Sequence, residues 1–332
     1  MKKFLLLGLV LLVGSSLQYD EFLGEDLNEL NATRLAERYK PILIFDEDES
    51  YYPLAIEDLN IDWSKADLQN ATSFVTYNYT DPERLNRSAP IYASLLQNKT
   101  DNTIRISYAF LYSFNDCGPY MKISLDTNFG FEMNPEFNIC PFGKHNGDIE
   151  RITITVQDGG DYKILSLEYA NHDSSTVLPP SDIIFRERRP YVYVAKGSHA
   201  SYHKKGVFTV MNGWNKTGHT FSTSGRIVEK INYDGAKWSE ARLRLLKLNG
   251  EPTSKISREE TYLAFLFKGR LGGPIVNNAY TYFEMEMKAY AQSLNALSPQ
   301  ASQLALNAIY ALSQQIFKDA TSTLANPSRT WW

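Results

Sequence analysis

Apolar and polar residues alternate most regularly over 103–114. Ile104, Ile106, Tyr108, Phe110, Tyr112 and Phe114 fall on one face, with Thr, Arg, Ser, Ala, Leu and Ser on the other. A period of two held that long predicts a half-buried strand. A second stretch, 149–156, follows the dipeptide Asn146-Gly147, which favours a tight turn. Its β-branched residues again predict a strand. Successive strand side chains point to opposite faces, so Asp148, Glu150, Ile152, Ile154 and Val156 share one side. Two carboxylates thus enter on the face that becomes apolar core a few residues later. A carboxylate facing a core needs a partner, because an unpaired buried charge is very costly. A histidine, an arginine, a metal ion or a ligand would each serve.

The same reading predicts further strands over 121–125, 162–169, 191–196, 206–211 and 226–231, separated by Gly and Asn/Asp turn residues. Near the start, 23–39 reads as a short helix stopped by Pro41, then Ile42-Leu43-Ile44-Phe45 as a buried strand. The acidic run Asp46-Glu47-Asp48-Glu49 after it reads as a solvated turn, with a cation site as the alternative. Many short strands with turns between them predict a mainly β fold, an antiparallel β-sandwich with an N-terminal helix. The pattern changes near the end. Tyr280, Phe283, Met287, Tyr290 and Leu294 recur at helical spacing. Ser298-Pro299 reads as a cap opening a second helix with Ala305, Ile309, Leu312 and Ile316. The expected division is a signal peptide over 1–16, a sandwich over 17–275 and a helical hairpin over 276–332 packed on it.

Composition narrows the class. A hydrophobic share of 43% and a charged share of 22% exclude a disordered chain, and a net charge of -4 without long basic runs excludes a nucleic-acid footprint. Lys2 and Lys3 precede an apolar stretch from Phe4 to Val13 and then Gly14-Ser15-Ser16, the layout of a secretory signal. That stretch is shorter than the roughly 20 residues a membrane span needs. Cys117 and Cys140 suit an oxidising compartment; bonded, they would close a loop worth roughly 3 kcal/mol by chain entropy. Asn-x-Ser/Thr sequons stand at Asn31, Asn70, Asn78, Asn86, Asn98 and Asn215. The expectation is a glycoprotein, secreted or in the lumen of the secretory or vacuolar pathway.

Several segments together are similar to the vacuolar protein sorting-associated protein 62 family. His145-Asn146-Gly147-Asp148-Ile149-Glu150 resembles its histidine-x-glycine-aspartate-tryptophan-glutamate signature. Tyr39-Lys40-Pro41 through Tyr51-Tyr52-Pro53 resembles the opening segment. Ala89-Pro90-Ile91-Tyr92-Ala93 and Tyr112-Ser113-Phe114-Asn115 follow in order. Val192-Tyr193-Val194-Ala195-Lys196-Gly197-Ser198-His199-Ala200-Ser201-Tyr202 matches best, and Phe267-Lys268-Gly269-Arg270-Leu271-Gly272-Gly273 resembles the closing piece. The resemblance spans about 38–275. Ile149 and Leu271 replace usual aromatics, and Arg151 replaces a frequent histidine. The signature also resembles the histidine-x-x-aspartate-tryptophan-glutamate motif of secreted necrosis-inducing cytolysins, β-sandwiches that use a cation to engage sphingolipid headgroups. That second resemblance implies recognition of a glycan or lipid headgroup and contact with a membrane surface.

His145, Asp148, Glu150 and His199 are the candidate ligand or metal residues. A mixed imidazole and carboxylate set suits Zn or Mn, and with water filling in it could hold Mg or Ca. The same residues fit a metal-free polar network with a protonated imidazole. They also fit metal-assisted hydrolysis or an acid and base pair acting on a glycan or lipid. No nucleophile elbow, phosphate loop or zinc-protease helix motif accompanies them.

Overall fold

The computed structural model describes residues 27–59, 61–65, 74–75, 89–127, 132–134, 136–138, 144–171, 174–217, 221–254 and 270–271, with isolated positions beyond. Helix α1 (Glu29–Tyr39) starts where Asn28 caps it, its side-chain oxygen accepting the Asn31 N–H at 2.9 Å. It ends at Lys40, before Pro41. Its buried face is Ala32, Leu35, Ala36 and Tyr39. Asn31 is also buried, 8% exposed in the first helical turn.

The strands that position the site are β1 (Ile42–Ile44), β2 (Pro90–Asn98), β3 (Thr103–Asn115), β4 (Tyr120–Thr127), β5 (His145–Gln157) and β6 (Ile164–Asn171). After them come β7 (Ser174–Leu178), β8 (Arg189–Val194), β9 (Ser201–Tyr202), β10 (Gly206–Thr217), β11 (Phe221–Ile231) and β12 (Arg242–Leu248). The largest sheet runs β7-β6-β5-β3-β2-β12 and ends on Glu251–Pro252. A second sheet pairs Phe185–Arg186, β8, β1 and Lys237–Trp238, with β9 added to β8. A third runs β10-β11-β4.

Mainly β holds, but the sheets are mixed where an antiparallel sandwich was expected. β1 pairs with β8 in parallel, and β2 with β12 in parallel. Each parallel pair joins strands far apart in sequence, as the long crossover between parallel neighbours requires. One continuous core holds the first two sheets together. Ile104, Ile106, Tyr108, Ile152, Ile154, Val156 and Tyr169 from the large sheet meet Leu43, Val192, Val194 and Trp238 from the second. Each such aliphatic side chain contributes about 1.5–3 kcal/mol on burial. α1 closes one side, with the Tyr108 hydroxyl donating to the Ala36 carbonyl at 2.7 Å.

β5 corrects one expectation. Asn146-Gly147 is no turn: the strand begins at His145 and pairs with β3 on both sides of Gly147, Asn115 opposite His145 and Tyr112 opposite Asp148. Gly147 takes φ 72, which glycine tolerates without steric penalty, and pairing resumes on both sides. Asn98 caps the turn between β2 and β3, its Oδ1 accepting the Thr100 N–H at 3.0 Å and its Nδ2 donating to Asp101 at 2.6 Å. Asn215 lies in β10 opposite Ser224. The signal peptide, Asn70, Asn78, Asn86 and Cys140 lie outside the described residues, as does the expected C-terminal hairpin apart from isolated positions.

Candidate functional site

The β3–β5 ladder sets the site's floor. On the inner face Ile104 opposes Val156, Ile106 opposes Ile154 and Tyr108 opposes Ile152; then Phe110 opposes Glu150 and Tyr112 opposes Asp148. Asp148 and Glu150 are both buried, 5% exposed, on the core side as the alternation required. His199 comes from the turn between β8 and β9. Its backbone is left-handed, φ 58, preceded by Gly197 at φ 75. The turn is closed by the His199 N–H donating to the Ala195 carbonyl at 2.9 Å.

The imidazole is wholly buried and stacks on Tyr112, ring centroids 3.9 Å apart and 3° from parallel. Its Nδ1 lies 3.0 Å from Asp148 Oδ2. Its Nε2 lies 3.7 Å from Glu49 Oε1, an ion pair too long for a hydrogen bond. Burial alone would push the imidazole's pKa down, but Asp148 and Glu49 outweigh it and hold the group at about 10. His199 is therefore a cation lying between two acids. Glu49 shows the converse. Burial would raise its pKa, yet His199 and the N–H groups of Tyr51 and Gly197 bring it below the ordinary value.

Glu49 went unread in the sequence. Asp46 caps its turn, accepting the Asp48 N–H at 2.9 Å, and Glu47 and Asp48 are exposed as a solvated turn should be. Glu49 instead points inward, 7% exposed. Glu229 on β11 is a second unread acid, 1% exposed. It accepts from the hydroxyl of Ser198, and from Tyr202 at 2.5 Å. No local pattern marks either residue, because their partners lie elsewhere in the chain.

The four expected residues are only partly brought together. Asp148 and His199 touch, and Glu150 lies on the same face two positions along from Asp148. His145 is half-buried, and its Nδ1 lies 2.8 Å from the Gly147 carbonyl oxygen. That oxygen can only accept, so Nδ1 is the donor in this contact. Asn115 bridges β5 and the His199 turn, donating to Asp148 at 3.2 Å and to the Ser198 carbonyl at 3.3 Å. Asp116 N–H donates to the Gly197 carbonyl at 2.8 Å. Among the described residues, no three His, Cys, Asp or Glu side chains converge as a metal site.

No family model matches the chain, and no curated protein matches it. Solved structures do align with it. Necrosis and Ethylene inducing Protein 2, from the causal agent of cocoa's Witches Broom disease, is 10% identical over 63% of this chain and 72% of that one, TM-score 0.28. NLPPya in complex with glucosamine is 12% identical over 72% and 83%, TM-score 0.34. NLPPya in complex with mannosamine is 13% identical over 72% and 84%, TM-score 0.32. At such identity and superposition no residue's role carries across.

Proposed function

We propose that this chain is a secreted, non-enzymatic binding protein that recognises a glycan or lipid headgroup at the acidic end of its largest sheet. The carrying observation is the buried contact between His199 and Asp148, beside Glu150 on the same face. Replacing such an ionic cluster with apolar residues often leaves a fold no less stable, so keeping it favours a role other than packing. Half-buried Asn115, Asn146 and His145 stand beside it at the strand ends.

A divalent cation, whether Ca, Mg, Mn or Zn, belongs to the proposal. Asp148, Glu150 and His145 Nε2 are the groups that would hold it, with His199 as Asp148's charged partner. A bound cation would supply a positive centre for an anionic or hydroxyl-rich headgroup. The donor chemistry fits, while the side chains do not converge in this structure. Use of the sequons, a Cys117–Cys140 disulfide and contact with a membrane surface belong to the same reading. A metal-free structural network is the second reading, favoured by the imidazolium already neutralising two acids. Glycan and lipid arrays, probed with and without chelator, separate the two. The proposal expects chelator-sensitive binding that Asp148→Asn abolishes; arrays blank under both conditions contradict it.

A further inference from the structure

The turn that carries His199 is held by several contacts. Asp116 donates its N–H to the Gly197 carbonyl. There the backbones approach so closely that a Cβ on Gly197 would stand 2.4 Å from the Cys117 carbonyl oxygen. Asn115 and Glu229 hold Ser198, and the side chain of Glu49 holds Gly197. Its Oε2 accepts the Gly197 N–H at 2.9 Å, and its Oε1 accepts the N–H groups of Ser50 at 2.8 Å and Tyr51 at 2.9 Å. The same Oε1 faces His199 Nε2. One carboxylate thus satisfies three backbone donors and lies against the imidazolium.

We propose that Glu49 is a positioning residue of the acidic site, clamping the Gly197–His199 turn so that the His199 ring stays against Asp148. The turn needs a clamp. A non-glycine residue in the left-handed region costs roughly 1 kcal/mol or more, so His199 at φ 58 persists only when its surroundings impose it. Stacking on Tyr112 restrains the ring's plane, and Glu49 and Asp148 restrain it from opposite nitrogens. The exposed tie beside it, Lys196 to Asp48 at 3.6 Å, is of the kind that contributes little. Glu49's own placement is fixed. Its N–H donates to the Asp46 carbonyl at 3.2 Å, and Phe45 N–H donates to the Ala236 carbonyl at 3.0 Å. A Cβ on Gly235 would meet the Phe45 carbonyl oxygen at 2.0 Å, so that glycine lets the segment close in.

Glutamine at this position keeps the size but presents an NH2 group either to the Gly197 N–H or to the imidazolium, so one contact becomes donor against donor. The clamp therefore depends on both carboxylate oxygens. As a function for the site, it rests on the binding reading above; as a statement about His199, it can be tested without it.

The test is an NMR comparison of the full chain with Glu49→Gln, using Glu47→Gln at the exposed neighbouring position as control. Stacked on Tyr112, the carbon-bound ring protons of His199 carry an upfield ring-current shift. The clamp predicts that Glu49→Gln loses that shift and Glu47→Gln keeps it. An unchanged shift in Glu49→Gln overturns the proposal, whatever the protein binds. Mn2+ titrated into the same samples tests the underlying reading separately. Glu49→Gln is expected to bind roughly 10–100-fold more weakly than wild type, as when a ligand's supporting partner is removed. No Mn2+ binding by wild type would count against a cation site, and the ring shift would still decide the role of Glu49. Should Glu49→Gln fail to fold, the Gly197 amide in wild type carries the test. Slow hydrogen exchange there is expected, and exchange at the rate of an unprotected amide overturns the clamp.

Discussion

One face of β3 and β5 carries two chemistries on a single ladder. At one end Ile104, Ile106, Ile152, Ile154 and Val156 interlock with the second sheet, all fully buried. At the other, Tyr112, Asp148 and Glu150 continue the same alternation, also buried, and are met by His199 and Glu49 from distant turns. The apolar end is held by neighbours next to it on the ladder and by a non-directional force. The acidic end depends on a few directional contacts, each with a definite partner. The difference implies that the apolar end tolerates volume-conserving exchange, while the acidic end fails when one partner is removed.

The largest effect should come from Asp148→Ala. It strands a buried imidazolium beside one remaining acid, and breaking a buried pair from one side costs about 3–5 kcal/mol. Urea unfolding measures it, and a loss under 1 kcal/mol would remove the contrast between the two ends. Ile154→Ala leaves a cavity in the core and should cost about 2–5 kcal/mol, whereas Ile154→Val should cost only about 0.5–1.5. Ile154→Ala should leave the His199 ring shift untouched. The smallest effect is expected on the sheet's outer surface. The Arg105–Glu168 pair, 3.4 Å apart with Arg105 half in solvent, should contribute less than about 1 kcal/mol in a double-mutant cycle.

Between these falls a pH signature. His199 is held at about 10 in the folded protein against an ordinary 6.5. Its stabilisation is complete below 6.5, declines as pH rises above it and is gone beyond 10. Glu49 has the opposite sign. Its folded value lies below the ordinary 4.5, so its contribution is present above that pH and is lost as pH falls further. Unfolding free energy should therefore be greatest between about 4.5 and 6.5 and fall on either side. His199→Gln should flatten the alkaline limb; an alkaline limb as steep as wild type's would place the charge elsewhere.

What could be read from the sequence divides along the same line. Alternation alone placed β3 and β5 and put Asp148 and Glu150 on the core side, since a strand's period is local. His199 was legible as a candidate ligand residue. Glu49 was not, because it sits in a run of acids whose other members are solvated, and the Gly197 amide it binds is 148 residues away. The parallel pairs were hidden for the same reason: strand propensity carries no information about which distant strand is a neighbour. Asn146-Gly147 misled in the other direction. Its turn preference is real but weak, and ladder pairing of both flanks with β3 outweighs it.

The central claim is that the acidic end gathers a cation to engage a headgroup, and thermal unfolding of chelator-stripped protein under added Ca, Mg, Mn or Zn tests it most directly. The account predicts that at least one of these ions raises Tm saturably in wild type and not in Asp148→Asn. An unmoved Tm with all four at millimolar concentration, or an equal rise in the variant, would contradict it.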